Sequence, residues 1–154
     1  QRLGAGDGPV AAVFYRNQIG ADGPGVRSSL RFEQRVDERP EGMRAFEGPI
    51  AVLIDERAIS QAEPCCLYLK AAAAKRITFI GTPTNGTNGD MTRSVLPGGI
   101  PFGFTGHDVR FPDESQLQRR GIQPDILVAP TIAGLRAGRD EVLERAVRFL
   151  ESGK

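Results

Sequence analysis

Lysine is scarce in this sequence. It occurs only at Lys70, Lys75 and Lys154, and the other basic residues are arginine. Histidine occurs once, at His107. Long apolar runs are missing too, and none could span a bilayer. The formal net charge is +1, so nothing in the charge balance argues for nucleic acid or a membrane surface. Cysteine is limited to the neighbours Cys65 and Cys66. Adjacent cysteines rarely bridge each other because the geometry strains the backbone. They also lack metal-ligand spacing, so they read as two small apolar residues packed on a buried helix. No signal peptide is visible. The chain begins with Gln1, which reads as a start within a longer protein.

What is present suffices for one domain. The chain has 154 residues, 40% hydrophobic and 25% charged, close to ordinary globular composition. A Gly-rich lead-in, 1–8, precedes a predicted strand over Pro9 to Arg16. After the NQIGADGPG loop, Ser28 to Val36 alternates polar and apolar residues and predicts a half-exposed strand. A polar connector follows, in which Asp37, Glu38 and Glu41 read as a solvated acidic cluster. Ile50 to Ile54 is a short apolar run and predicts a buried central strand, parallel to its neighbours. A helix is expected from Gln61 to about Ala74. It is apolar on nearly every face from Cys65 onward, which predicts burial on most sides. Arg76 to Ile80 predicts the next buried strand, completing a βαβ crossover. Short strands over 91–96, 100–106 and 107–111 follow, then an extended IQPDILVAP. A helix from about Asp140 to Glu151 closes the chain.

Ser60 stands where the strand has ended and the helix begins. Two readings stay open for it. Ser60 and Glu63 form the S-x-x-E pattern of a capping box. The same place suits a nucleophile, since the helix dipole faces the serine and the Gln61 N–H could serve an oxyanion. Asp55 and Glu56 read as a turn with ion pairs to Arg57. GTPTNGTN lacks the Lys and Ser/Thr of a phosphate loop, and GAGDG lacks the flanking strand and helix of a dinucleotide fingerprint.

The ordered set VLIDERAISQAE, FIGTPTNGTNG, LPGGIPFGFTG and GIQPDI resembles the C-terminal-processing (tail-specific, tricorn-related) serine peptidases. The resemblance covers about 48–128. It implies an α/β fold, a ClpP/crotonase-like spiral of βαβ units, here as an incomplete, C-terminal part of a catalytic domain spanning 1–154. It implies peptide-bond hydrolysis through an acyl-enzyme on Ser60, with the Gln61 N–H as an oxyanion donor. Gly86 and Thr87 would lie in the loop that approaches substrate. The position three residues before the G-I-x-P-D motif, glutamate in tricorn-like members, is Gln118 here; glutamine also occurs there in the lysine-type branch.

The base is the point of departure from the family. Members with a Ser-Lys dyad carry lysine directly after the G-x-P-T-x-G loop, where this chain has Thr87. Lys70 is ten residues along the helix from Ser60, about 15 Å at helical rise. Gln118 cannot act as a base. His107 lies downstream of Ser60, whereas tricorn-like members use an upstream histidine. Three explanations stand: base and second oxyanion donor in a missing upstream part of the same protein, a peptidase using His107, or an inactive relative that binds peptides. A crotonase-type acyl-CoA enzyme is disfavoured by the serine motif. The expected partners are a polypeptide substrate, the upstream part and, as an option, a homo-oligomer. No cofactor, metal or nucleic acid is expected. An exported or periplasmic compartment is implied by the resemblance alone.

Overall fold

The computed structural model describes residues 7–19, 27–37, 40–44, 46–73 and 75–153. The lead-in up to residue 6, the loop from 20 to 26, Glu38 of the acidic cluster and Lys154 lie outside them. The fold is mixed α/β, and the described residues form two three-stranded sheets and a separate hairpin. In the first sheet β1 (Val10–Ile19) is central. It pairs antiparallel with β2 (Arg27–Arg35) and β7 (Asp108–Arg110). The apolar run Ala11 to Phe14 is buried throughout, as a strand covered on both faces requires. Alternating β2 takes the edge, with Phe32 stacked on Phe14 at 5.2 Å between centroids.

The second sheet is parallel, in the order β3 (Ile50–Ile54), β4 (Ile77–Gly81), β8 (Ile126–Leu127). Helix α1 (Ala62–Ala73) joins β3 to β4, as the strand–helix–strand spacing predicts. Two expectations need correction. Among the described residues β3 is an edge strand, and β4 is the central one. An apolar run records that both faces tolerate burial, not where the strand sits, and Leu53 of β3 remains 43% exposed. Helix α1 is not buried on most sides either. Glu63, Pro64, Cys66 and Leu67 are buried, while Ala62, Cys65, Leu69 and Ala72 form an exposed stripe. The two cysteines therefore part company, with Cys66 inside and Cys65 outside. Burial pushes the Cys66 thiol pKa up.

One core joins the sheets: Phe14 and Val109 from the first meet Ile54, Ile77 and Phe79 from the second, with Leu67, Leu117 and Ile122 between. Strands β5 (Met91–Leu96) and β6 (Ile100–Thr105) form an antiparallel hairpin whose residues are all exposed. A short helix α2 (Ile132–Arg136) is unannounced by periodicity, but Thr131 caps it through its side chain to the Gly134 N–H. Helix α3 (Glu141–Ser152) starts on an Asp140 cap and packs on β3 and β4. No helix of the described residues is long and apolar enough to cross a membrane.

Candidate active site

The site lies where the C-terminal ends of parallel β3 and β4 open into loops, the usual ligand edge of such sheets. Asp55 starts a turn by accepting the Arg57 N–H at 2.9 Å, and it pairs with the Arg57 guanidinium at 3.1 Å. Glu56 instead accepts the Thr82 hydroxyl at 3.1 Å. The two loops are then zipped together by backbone bonds. Thr82 donates to the Ile54 carbonyl (3.0 Å), Asn85 to Ala58 (3.1 Å), and Ser60 to Thr87 (3.0 Å).

Ser60 is exposed and sits two residues before α1, at a φ of 50°. That left-handed conformation is uncommon for a residue other than glycine, asparagine or aspartate. Its carbonyl accepts the Glu63 N–H at 3.0 Å. The reciprocal capping box is not made. The Ser60 N–H is spent on Thr87, and the Glu63 carboxylate turns the other way. Among the described residues nothing accepts the Gln61 N–H, which stands at an exposed position beside the serine.

Glu63 is fully buried. Its Oε1 accepts the Thr84 hydroxyl at 2.6 Å and the Gly86 N–H at 2.7 Å. The Thr84 hydroxyl in turn accepts the Ile122 N–H at 2.7 Å. Two motifs separated in sequence, A-I-S-Q-A-E and G-T-P-T-N-G, thus meet at one carboxylate, and the third, G-I-Q-P-D-I, joins them through the Thr84 hydroxyl. Glycine is required at two of these positions. A Cβ on Gly121, at φ 67°, would lie 2.1 Å from the Thr84 carbonyl oxygen. One on Gly86, at φ 73°, would meet three backbone amides within 2.8 Å. The last motif also pins β4. Asp125 accepts the Phe79 N–H with its side chain and donates its own N–H to the Phe79 carbonyl, both at 2.8 Å. Thr84 and Asp125 carry no signal in composition or periodicity that would single them out.

The remaining candidates divide. Thr87 is exposed and joined to Ser60 through its carbonyl. Gly86 is buried, with its N–H on Glu63 and its carbonyl accepting the Arg119 N–H. Gln118 is half-buried, and its Nε2 donates to the carbonyls of Asn88 (2.8 Å) and His107 (2.7 Å). The His107 ring stands edge-on to Phe14 and Phe32, at 6.1 and 5.7 Å between centroids. No hydrogen bond among the described residues joins that ring to Ser60. Lys70 lies 3.9 Å from Asp125 and over the Phe79 ring, at the far end of α1. A groove of about 660 Å³ runs beside the Asp55–Ala58 turn toward α2 and α3, lined by Leu53, Arg57, Thr82, Leu135 and Arg139; Ser60 is not in its lining. Among the described residues no three His, Cys, Asp or Glu side chains group as metal ligands.

The profile of peptidase family S41 matches residues 11–128. That span includes most of the first 47 residues, which motif resemblance alone leaves unplaced. The fold is similar to a putative peptidase from Parabacteroides merdae, with a TM-score of 0.68 and 21% identity over 94% of this chain and 44% of that one. It is similar to mature CPAF, with a TM-score of 0.54 and 25% identity over 67% of this chain and 19% of that one. It is also similar to a photosystem II D1 C-terminal processing protease, with a TM-score of 0.50 and 20% identity over 98% of this chain and 33% of that one. The chain thus spans less than half the length of each of these structures. No functionally curated sequence matches it.

Proposed function

Because the chain belongs to peptidase family S41, the C-terminal-processing serine peptidases, we propose that it forms part of a serine endopeptidase acting on polypeptides with Ser60 as nucleophile. The observation that carries this reading is Ser60 itself. It is an exposed serine held at φ 50° between a parallel strand and a helix, next to a free backbone N–H.

In this mechanism the Ser60 Oγ adds to the scissile carbonyl carbon. The oxyanion that forms takes a hydrogen bond from the Gln61 N–H. The C–N bond then breaks, the amine leaves with a proton, and an acyl-Ser60 remains for water to hydrolyse. Thr87 borders the substrate. Gly86, whose polar groups are both engaged inside the protein, shapes the loop. Gln118 steadies the neighbouring turn through its amide nitrogen and has only its Oε1 left to offer the reaction. We place the proton acceptor and the second oxyanion donor in the upstream part of the protein, since among the described residues no base is hydrogen-bonded to Ser60. Lys70 pairs with Asp125 at the far end of α1, the His107 ring packs edge-on against Phe14 and Phe32 with no hydrogen bond to Ser60 among the described residues, and Gln118 is no base.

Hydrolysis of casein tests the reading. The native full-length chain should cleave it, its Ser60→Ala variant should not, and the 154-residue chain alone should show no measurable turnover. The threonine at the lysine position favours a second reading, a non-catalytic peptide-binding module. Peptide binding without turnover by the full-length chain would select it.

A further inference from the structure

We infer that Glu63 is a positioning residue for Ser60, acting through the Gly81–Gly86 loop rather than on substrate. The inference rests on the reading of Ser60 as the nucleophile. A serine at φ 50° does not hold that conformation by its own preference. The surroundings must impose it, and Glu63 grips Ser60 from both sides. Its own N–H binds the Ser60 carbonyl at 3.0 Å. Its carboxylate binds the Gly86 N–H at 2.7 Å, and the next residue, Thr87, accepts the Ser60 N–H at 3.0 Å. The ring closes: Ser60, Glu63, Gly86, Thr87 and back to Ser60.

Oε1 carries both side-chain bonds of this carboxylate. Oε2 is buried and has no partner among the described residues. A fully buried carboxylate with half its acceptors unused is an expensive way to pin a loop for stability alone. It suits a device that fixes the loop to a fraction of an ångström where a reacting oxygen must be aimed. Thr84 extends the grip to Ile122, so the loop cannot shift without breaking contacts to two segments.

The test is the rate of fluorophosphonate labelling of the native full-length chain, separated into kinact and KI, at a temperature where circular dichroism shows each variant folded. Glu63→Ala should lower kinact about 10- to 100-fold and leave KI within about threefold. Glu63→Gln should recover to within about threefold of the parent, because its amide oxygen can accept the same two bonds. A merely structural pin would lower the melting temperature in Glu63→Ala without this split or this rescue. If Glu63→Ala does not fold, Thr84→Val carries the test. It keeps the Gly86 bond and should lower kinact about three- to tenfold. Parent-like kinact in the folded variants, an effect confined to KI, or a Glu63→Gln chain as slow as Glu63→Ala would overturn the inference. A Ser60→Ala chain labelled as fast as the parent would overturn the nucleophile reading and this inference with it. Ser60-dependent labelling without a Glu63 effect would overturn this inference alone.

Discussion

The Ser60 N–H donates to the Thr87 carbonyl at 3.0 Å. That bond brings next to the serine the chain position which, by resemblance, carries lysine in the Ser-Lys branch of the family. Position 87 thus lies within backbone hydrogen-bond reach of the serine, and it is a threonine rather than a lysine.

A gain-of-function variant follows from that adjacency. Thr87→Lys in the 154-residue chain should raise fluorophosphonate labelling of Ser60 by about tenfold or more, with the increase growing toward alkaline pH as the amine loses its proton. Mass spectrometry of the adduct reads the outcome. Labelling no faster than the parent at any pH would mean that position 87 does not direct its side chain toward the serine.

The Thr84 hydroxyl is a junction between Glu63 and Ile122. Thr84→Val leaves the buried Ile122 N–H without a partner and takes a donor from Glu63. It should cost about 2–3 kcal/mol, while Thr84→Ser, which keeps the oxygen, should cost less than about 1 kcal/mol. Urea unfolding of the two variants makes the comparison. Equal losses would show that methyl packing, not the hydroxyl, matters there.

Gly121 occupies φ 67° directly against the Thr84 carbonyl. Gly121→Ala should destabilise the protein by about 2 kcal/mol or more, since both the backbone conformation and the missing space oppose a Cβ. Thermal unfolding checks this, and a loss under about 0.5 kcal/mol would contradict the tight approach.

These junctions also show what could and could not be read from sequence. Ile50 to Ile54 and Arg76 to Ile80 announce themselves as parallel strands because β-branched and apolar runs flank a helix of the right length, and the structure shifts the second by one residue, to Ile77–Gly81. The order of the sheet was not legible, because an apolar run looks the same at an edge and at a centre. The exposed stripe on α1 escaped for a related reason: Ala62, Cys65, Leu69 and Ala72 are as apolar as its buried face, so periodicity has no contrast to report. At the site, Ser60 was visible through the motif order. The destination of the Glu63 carboxylate was not. S-x-x-E is the local signature of a capping box, and the competing partners, Thr84 and Gly86, are more than twenty residues away.

On the first sheet, the Tyr15 hydroxyl donates to Glu114 at 2.6 Å and Arg31 pairs with it at 3.0 Å. The Tyr15 bond first, then Arg31, holds the Glu114 carboxyl below the usual glutamate range. A folded pKa below the unfolded one means stability that is present above the unfolded value and lost as pH falls through the folded one. Tyr15→Phe should move the Glu114 titration, followed by NMR, up toward the ordinary glutamate value. An unchanged midpoint would assign the depression to Arg31 alone.

The site of fluorophosphonate attachment tells whether Ser60 is the nucleophile. The native full-length chain is treated with the probe, digested and mapped by mass spectrometry. One adduct is expected, on the peptide containing Ser60, absent from Ser60→Ala. An adduct on another serine, or none on a folded chain that cleaves casein, would contradict it.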